Sequence, residues 1–335
     1  MRSLKDINKI FIAGSTGMVG SSICKLLNSK GFSKENNKLL VNSRNILDFK
    51  NSEDVDLWFK ENRPDTVIVA AAKVGGILAN KNNPVDFLLD NLKIQNNLIE
   101  AAWKNDVKKL LFLGSSCIYP RLAKQPIKEE YLLEGALEST NQWYAIAKIA
   151  GLKLCEALKI QYNFDAISLM PTNLYGPNDN YKPGESHVIA SLIKKFYEAR
   201  IYNSKEVICW GTGEPLREFL FVEDFADACF HILENWPNLN NKVLNAKNGN
   251  YLNWLNIGSN FEISIQSLAE KIANTVGYKG EIIWDKSKPD GTPRKKLDTQ
   301  RINNFGWYAK TDLDQGLYKT FESFKSELKN RTIRI

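Results

Sequence analysis

The sequence predicts an α/β fold, a doubly wound parallel sheet with a smaller C-terminal part. Continuous apolar runs of strand length alternate with segments of helical periodicity through the first half of the 335 residues. Strands that are apolar along their whole length are typical of parallel sheets covered by helices on both faces. The second half is less regular and rich in Gly, Pro, Asn and aromatic residues, so we expect it to cap the carboxyl edge of the sheet.

The apolar runs that predict strands cover residues 9–14, 37–42, 65–72, 107–116 and 165–171. After the first strand, Val19, Ile23 and Leu27 fall on one helical face. Ser52 is placed to cap a helix over 52–62, and Pro84 is placed to open a long helix. Further helices are expected over 141–160, 187–200, 224–235, 264–276 and 312–328.

These elements divide the chain into two domains. Residues 1–172 form the predicted sheet domain, and a segment near 206–258 is expected to return to it. Residues 173–205 and 259–335 form the smaller, substrate-binding domain. Residues 238–253 follow no usable pattern.

Composition excludes several classes of protein. No run of 18 apolar residues is present, which disfavours a membrane protein, and the N-terminal residues lack the pattern of a signal peptide. The net charge is +7, but the lysines are dispersed, which favours a solvated surface over a nucleic-acid interface. Five widely spaced cysteines argue against a disulfide framework and a zinc site, so we expect a cytoplasmic protein without metal.

The stretch "IAGSTGMVGSSI" follows the first predicted strand and opens the first helix. Gly14 permits a tight turn, Gly17 lets the backbone approach a pyrophosphate, and Gly20 lets helix and strand pack closely. A helix N-terminus at this point offers unpaired N–H groups to phosphate. The alternative, glycine as ordinary turn punctuation, does not require this strand–loop–helix context. The segment therefore predicts a Rossmann-type dinucleotide site that includes Gly14, Ser15, Thr16, Gly17, Met18, Val19 and Gly20.

The end of the second strand bears on the choice between NAD and NADP. An acid usually stands there when the ligand is NAD, but here the sequence is "VNSRN", and Arg44 favours the 2′-phosphate of NADP(H). Asp48 is a candidate contact for the adenine. Both side chains could equally point to solvent. The glycine loop lacks the arginine that often precedes its second glycine, so Arg44 carries more of the predicted selectivity.

"WYAIAKIAG" places Tyr144 and Lys148 four residues apart, on one face of a helix. A lysine ammonium and an oxidised nicotinamide nearby would lower the pKa of the phenol, which could then exchange a proton with a carbonyl or alcohol oxygen. Ser115, at the end of the fourth strand in "LFLGSSCIYP", could donate to the same oxygen. An isolated Tyr–Lys pair is usually a surface pair; the glycine loop and the strand-terminal serine make this one specific.

With these residues the chain resembles the extended short-chain dehydrogenase/reductase family, in its nucleotide-sugar-modifying branch. The resemblance implies that Ser115, Tyr144 and Lys148 are catalytic. It is carried from about residue 9 to 325 by the blocks "AAAKVGGI", "LFLGSSCIYP", "YAIAKIAG", "MPTNLYGPNDN", "SHVI", "LREFLFVED" and "KPDGTPRK". These blocks imply an NADPH-dependent epimerase–reductase acting on GDP-4-keto-6-deoxy-mannose.

Two alternatives stay open at this stage. A reductase or epimerase of a related GDP-4-keto hexose or heptose would share the key residues. A non-catalytic NADP-binding sensor would require the Ser–Tyr–Lys trio to be idle.

Inversion next to a ketone requires a base on one face of the sugar and an acid on the other, while the enolate charge sits on the ketone oxygen. The resemblance implies that Cys117 and His187 are this pair. On position alone, Cys117 could be a small buried residue and His187 a structural one; His231 is interpreted as structural. A free thiol has a pKa of ~8.5, so the thiolate is a minority at neutral pH unless the site lowers that value.

The resemblance also implies further binding residues. Those toward the dinucleotide are Leu113, Gly114, Ser116, Lys148, Pro171, Asn173, Leu174 and His187. Those toward the GDP-sugar are Lys195, Trp210, Arg217 and Asp290, where Lys195 replaces a common arginine and so loses the bidentate fork. Family members commonly form homodimers through the helices at 84–104 and 141–160.

Overall fold

The predicted α/β fold is confirmed. A computed structural model describes residues 7–43, 45–242, 252–288 and 290–335. The strands in these ranges are β1 (Ile10–Ala13), β2 (Leu39–Val41), β3 (Thr66–Val69), β4 (Lys109–Leu113), β5 (Ala166–Pro171), β6 (Asn173–Tyr175), β7 (Glu206–Trp210), β8 (Leu216–Phe221), β9 (Trp254–Ile257), β10 (Glu262–Ser264), β11 (Glu281–Asp285) and β12 (Arg294–Lys295). The helices are α1 (Met18–Ser29), α2 (Ser52–Asn62), α3 (Ile77–Asn82), α4 (Pro84–Lys104), α5 (Gln142–Tyr162), α6 (Val188–Ile201), α7 (Val222–Lys242), α8 (Ile265–Val276), α9 (Gln300–Asn304) and α10 (Leu313–Lys329).

The main sheet has six parallel strands in the order β2-β1-β3-β4-β5-β9. The direction of winding reverses between β1 and β3, and ligands of such sheets bind at the carboxyl ends of the strands at this switch point. The sixth strand, β9, comes from a part of the chain well past the first five. The fold therefore presents the loops after β1, β4 and β5 along one edge.

Helices cover both faces of this sheet. On one face, Ile23 of α1 and Phe225 of α7 pack against Ile12 and Leu111. The opposite face is covered by α2, α4 and α5, as the fully buried side chains of Phe59, Leu98 and Leu152 show. Because both faces are buried, the strands are apolar along their whole length, which is the pattern that identified them.

The second part of the molecule is built around β8. Strand β8 lies between β10, which pairs in the antiparallel sense, and β12, which pairs in the parallel sense, and its last residues also pair in the parallel sense with β6. A separate parallel pair joins β7 to β11. Helices α6, α8 and α10 close a third core around Phe196, Phe221 and Phe324.

Helix starts follow local chemistry, with one correction. Pro84 is the first residue of α4, as expected. The cap of α2 is Asn51, not Ser52: the Asn51 side chain accepts hydrogen bonds from the backbone N–H groups of Glu53 and Asp54, while Ser52 is the first helical residue. Asparagine and serine are comparable N-caps, so the sequence did not separate the two positions.

Glu218 is a completely buried carboxylate that joins β8 to its neighbours. It accepts hydrogen bonds from the backbone N–H groups of Leu297, at 2.9 Å, and Asn260, at 2.8 Å. Burial raises its pKa above the usual 4.5, and the two N–H donors act against that rise. These bonds fix β12 beside Arg217, which directly precedes Glu218.

We expect Glu218→Ala to lower the free energy of unfolding by about 3 kcal/mol, because the buried N–H of Leu297 and the partly buried N–H of Asn260 lose their acceptor. Urea denaturation measures the loss. Glu262→Ala is the matched control, since it removes only an ion pair with Arg294 at the protein surface and should cost about 1 kcal/mol or less. Equal small losses of unfolding free energy in the two variants would contradict the role of Glu218 in holding β8 to its neighbours.

Candidate active site

The glycine loop lies at the switch point between β1 and β3. Gly14 has φ +92°, and a Cβ there would lie 2.6 Å from the backbone nitrogen of Ala71. A Cβ on Gly20 would collide with the Gly14 carbonyl oxygen. Gly17 is the N-cap of α1 and supplies no side-chain cap, so the first turn of the helix keeps N–H groups for an anion.

The loop is held from both sides. Ser15 Oγ donates to the Asn42 carbonyl oxygen at 3.4 Å, and the Thr16 carbonyl oxygen accepts from Asn178 Nδ2 at 3.1 Å. Asp48 is exposed and accepts from the backbone N–H of Lys50 at 3.0 Å, so in this structure its carboxylate closes a turn. Arg44, the residue on which the NADP prediction depends most, lies outside the described residues. Met18 and Val19 begin α1.

The other residues predicted for the dinucleotide lie at the ends of β4, β5 and β6. Gly114 leaves no room for a side chain because Met170 packs directly on it. Asn173 Nδ2 donates to the Glu218 carbonyl oxygen at 2.9 Å, which orients this residue beside β8. The remaining positions are the buried Leu113 and Ser116, Pro171 as the last residue of β5, and Leu174 within β6.

Lys148 joins α5 to the end of β4. Its side chain is only 3% exposed, and Nζ donates to the Leu113 carbonyl oxygen at 2.8 Å. The ammonium lies 5.7 Å from the centre of the Tyr144 ring. Ser115 follows β4 directly and accepts from the backbone N–H of Cys117 at 3.3 Å. The structure therefore brings the predicted Ser–Tyr–Lys trio and Cys117 to one strand end.

Burial dominates the electrostatics here. It lowers the pKa of Lys148 from 10.5 to about 8, with the Cys117 charge acting in the opposite direction. It raises the pKa of Tyr144, and the Cys117 charge raises it further. The protein surroundings of Tyr144 thus raise its pKa, where the sequence predicts a lowering by Lys148 and an oxidised nicotinamide. Tyr144 is a phenol at neutral pH and can donate a proton to an oxygen.

Cys117 lies in a 3-10 turn, Ser116–Ile118, and is 6% exposed. Burial raises its thiol pKa; the charges of Lys295 and Lys148 and a hydrogen bond with Ser115 oppose that rise. Lys295 is a site residue that the sequence did not single out, although it ends the block "KPDGTPRK". No local pattern indicates that β12 brings its ammonium next to Cys117.

His187 follows a segment that packs against Gly75 and Gly76, two glycines for which the sequence predicts no role. It is the N-cap residue of α6 and keeps contact with solvent, although the protein packed around the imidazole desolvates it enough to lower its pKa below 6.5. The preceding segment lies against Gly76, whose N–H donates to the Glu185 carbonyl oxygen at 2.8 Å. A Cβ on Gly76 would lie 2.7 Å from the Ser186 carbonyl oxygen. The "VGG" of "AAAKVGGI" thus lets the loop after β3 hold this segment.

The residues predicted to bind the GDP-sugar gather around β7 and β8. Asp290 accepts from Thr212 N at 3.0 Å and from Thr212 Oγ1 at 2.8 Å. Arg217 lies close enough to Asp290 and Glu138 for their charges to oppose the lowering of its pKa by burial. Trp210 is 52% exposed. Lys195 Nζ donates to the Ile208 carbonyl oxygen at 2.7 Å, so its ammonium is tied to β7 in this structure.

These features fit a dinucleotide: a loop that excludes side chains, a helix start without a side-chain cap, and a proton-donating phenol beside a buried ammonium.

His231 contacts the Phe305 carbonyl oxygen through Nε2 at 3.1 Å. Among the described residues, no cluster of three or more His, Cys, Asp or Glu side chains is arranged to hold a metal ion. In the same part of the chain no helix has the length and apolar character needed to cross a bilayer.

Comparison with known proteins agrees with this geometry. Residues 10–246 match the model of the NAD dependent epimerase/dehydratase family. The chain belongs to this family.

Relatives that match nearly the whole chain carry more specific names than the family does. A GDP-L-fucose synthase from Escherichia coli (strain K12) is 49% identical over 94% of this chain and 96% of its own length. GDP-L-fucose synthase 1 of Arabidopsis thaliana is 48% identical over 96% and 95%. Among solved structures, a GDP-mannoheptose C4 reductase from Campylobacter jejuni with NADP bound has a TM-score of 0.82 and 35% identity, covering 95% of this chain and 98% of that one.

We predict that Lys148→Met stabilises the ligand-free protein by about 1–3 kcal/mol at pH 7. The pKa of Lys148 is lower in the folded state than in the unfolded chain, so at neutral pH folding must desolvate an ammonium. Between about pH 8 and the usual lysine value, the unfolded chain binds more protons, so wild-type stability rises with pH and the advantage of the variant shrinks.

Urea denaturation at neutral and alkaline pH measures both effects. Lys153→Met on the same helix is the control: this side chain is 42% exposed, and its substitution should leave the pH trend of the wild type intact. If Lys148→Met follows the wild-type trend as well, Lys148 is not the source of that trend.

Proposed function

We propose that this chain is an NADPH-dependent epimerase–reductase that converts GDP-4-keto-6-deoxy-D-mannose to GDP-L-fucose, with inversion at carbons 3 and 5 and reduction at carbon 4. The observation that carries the proposal is the buried thiol of Cys117 at the strand end that also presents Ser115, beside Tyr144 and Lys148. Full-length relatives named GDP-L-fucose synthase support the choice of substrate.

One oxyanion site serves both parts of the reaction. Ser115 and Tyr144 donate hydrogen bonds to the ketone oxygen at carbon 4, where charge develops during enolisation and again during reduction. Lys148 supplies positive charge behind Tyr144. In the reduction the nicotinamide, when bound, supplies the hydride, and Tyr144 gives its proton to the oxygen.

Cys117 and His187 move the carbon-bound protons. The ketone acidifies the C–H bonds at carbons 3 and 5, so a thiolate on one face can remove a proton while the imidazolium on the other face returns one. The cations Lys295 and Lys148 favour the thiolate. The two groups differ in surroundings, because Cys117 is buried and His187 is exposed.

The residues that would hold the dinucleotide are those of the glycine loop and α1. The pyrophosphate would approach Gly17 and the first turn of α1, where N–H groups and the helix dipole favour negative charge. The absence of an acid after β2 and the NADP-bound relative support NADP over NAD. On the other side, Arg217 would bind the GDP pyrophosphate and Trp210 the guanine or the sugar, with Lys195 and Asp290 beside them.

The chain is proposed to act as a homodimer in the cytoplasm. The neighbouring helices α4 and α5 carry the exposed apolar side chains of Val85, Leu89, Trp143 and Ile146, which is the kind of surface that a second copy can cover. Sedimentation velocity distinguishes a dimer from a monomer. All five cysteines are free thiols, as expected in a reducing compartment.

The function is tested by supplying GDP-4-keto-6-deoxy-D-mannose and NADPH and analysing the product by NMR, which gives the configuration at carbons 3, 4 and 5 together. GDP-L-fucose is the expected product. Reduction at carbon 4 without inversion would instead favour the activity named for the Campylobacter relative, a C4 reductase of a GDP-heptose. No oxidation of NADPH with either sugar would contradict both.

We predict that Cys117→Ser abolishes inversion and retains hydride transfer, because the serine hydroxyl is too weak an acid to serve as the base. Inversion is measured as uptake of solvent deuterium at carbons 3 and 5. Hydride transfer is measured separately, as oxidation of GDP-L-fucose by NADP⁺, and should stay within about threefold of the wild type.

Cys24→Ser on α1 is the control for this variant and should change neither rate, since Cys24 lies outside the site. An equal loss of deuterium uptake and hydride transfer in Cys117→Ser would contradict the assignment of separate roles to Cys117 and Tyr144.

A further inference from the structure

The proposed chemistry imposes a proton balance on Cys117. Each inversion moves one proton from the sugar carbon to the thiolate and one from His187 to the opposite face. The sugar gains no net proton, but the thiol must lose one and the imidazole must regain one before the next inversion. Two inversions per product therefore require two such resets.

The two groups do not have equal access to solvent. His187 is exposed and can take its proton directly from water. Cys117 is only 6% exposed, so its thiol has little direct contact with solvent. A buried thiol that titrates during turnover needs a path through the protein.

A small, partly open cavity adjoins Cys117. Its volume is about 30 Å³, enough for a water molecule. Its lining includes Cys117, Tyr119, Glu138, Asn141, Thr292 and Lys295. The buried Oδ1 of Asn141 has no hydrogen-bond partner among the described residues. A water here would find several polar partners, which is the condition for stable occupancy.

Glu138 connects this cavity to the surface. Its side chain is 18% exposed, and its Oε2 lies 3.1 Å from Nε of Arg121, whose side chain is 48% exposed. The same Oε2 accepts from Thr292 Oγ1 at 3.3 Å. The Glu138 charge opposes the lowering of the Lys295 pKa by burial, and Lys295 in turn interacts electrostatically with Cys117. Glu138 is thus a partly exposed carboxylate that both lines the cavity and contacts Arg121 at the surface.

We infer that the cavity between Cys117, Lys295 and Glu138 is the proton outlet of the thiol, and that Glu138 relays the proton to solvent between inversions. The S–H bond breaks as a cavity water takes the proton and passes one of its own to the carboxylate. The carboxyl group then releases that proton to solvent beside Arg121. Lys295 stabilises the thiolate that remains. This inference rests on the proposed function.

The test is Glu138→Gln, which keeps the size and hydrogen bonding of the side chain but cannot carry the proton. In D₂O with NADP⁺, we expect deuterium uptake into GDP-4-keto-6-deoxy-D-mannose to fall at least tenfold. Oxidation of GDP-L-fucose by NADP⁺ needs no reset of Cys117 and should stay within twofold. Glu134→Gln, an exposed residue outside the cavity lining, should match the wild type in both assays.

Chemical rescue distinguishes a proton-transfer role of Glu138 from a purely structural role. In Glu138→Ala, added formate should restore deuterium uptake at least fivefold without changing GDP-L-fucose oxidation. Uptake by Glu138→Gln within twofold of the wild type would overturn the inference. So would an equal loss of both activities without rescue by formate. If the wild type itself exchanges no deuterium and transfers no hydride, the proposed function fails and the relay fails with it.

Discussion

The hydrogen bond from Lys148 to the Leu113 carbonyl oxygen is the contact on which the site depends. It fixes a helix to the end of a strand in the interior of the protein, where a cation is costly to bury. Tyr144 lies one helical turn before Lys148, and Ser115 lies two residues beyond Leu113, so this single contact sets the position of both oxygen ligands. The helix can neither slide nor rotate without leaving an ammonium unpaired in the core.

A second constraint acts from the opposite side of the site. Arg217 and Lys295 are neighbours in the register of β8 and β12, and that register is held by the buried Glu218. Neither strand belongs to the main sheet, although β9, which lies between them in the chain, does. The pocket is therefore assembled from two units: the end of β4 and α5 carry Ser115, Tyr144 and Lys148, and β8 and β12 carry Arg217 and Lys295. Lys295 lies at the meeting point of the two, because it pairs with Arg217 in the strand register and its charge acts on Cys117.

The sequence predicted the first unit far better than the second. The strands of the parallel sheet are long apolar runs, and the helices between them have clear periodicity, so local patterns sufficed. The elements β6, β10 and β12 have only two or three residues each, and their pairing with β8 is set by distant parts of the chain. For the same reason Ser115, Tyr144 and Lys148 were predicted from spacing, whereas Lys295 and Glu138 emerged only from the folded chain. The domain boundaries stay a prediction.

Asn178 gives the C-terminal segment a role that its position in the chain does not suggest. Its side chain holds Thr16 and Ser21 beside the glycine loop, while its backbone accepts from Arg334 at 3.0 Å and donates to Glu327 at 2.9 Å. The position of the glycine loop therefore depends in part on contacts made near the C-terminal end of the chain, through one residue. In a mutational scan scored by cofactor affinity, substitutions at Arg334 and Glu327 would lower affinity as those in the glycine loop do. A binding site mapped from such data alone would therefore include residues that do not contact the cofactor.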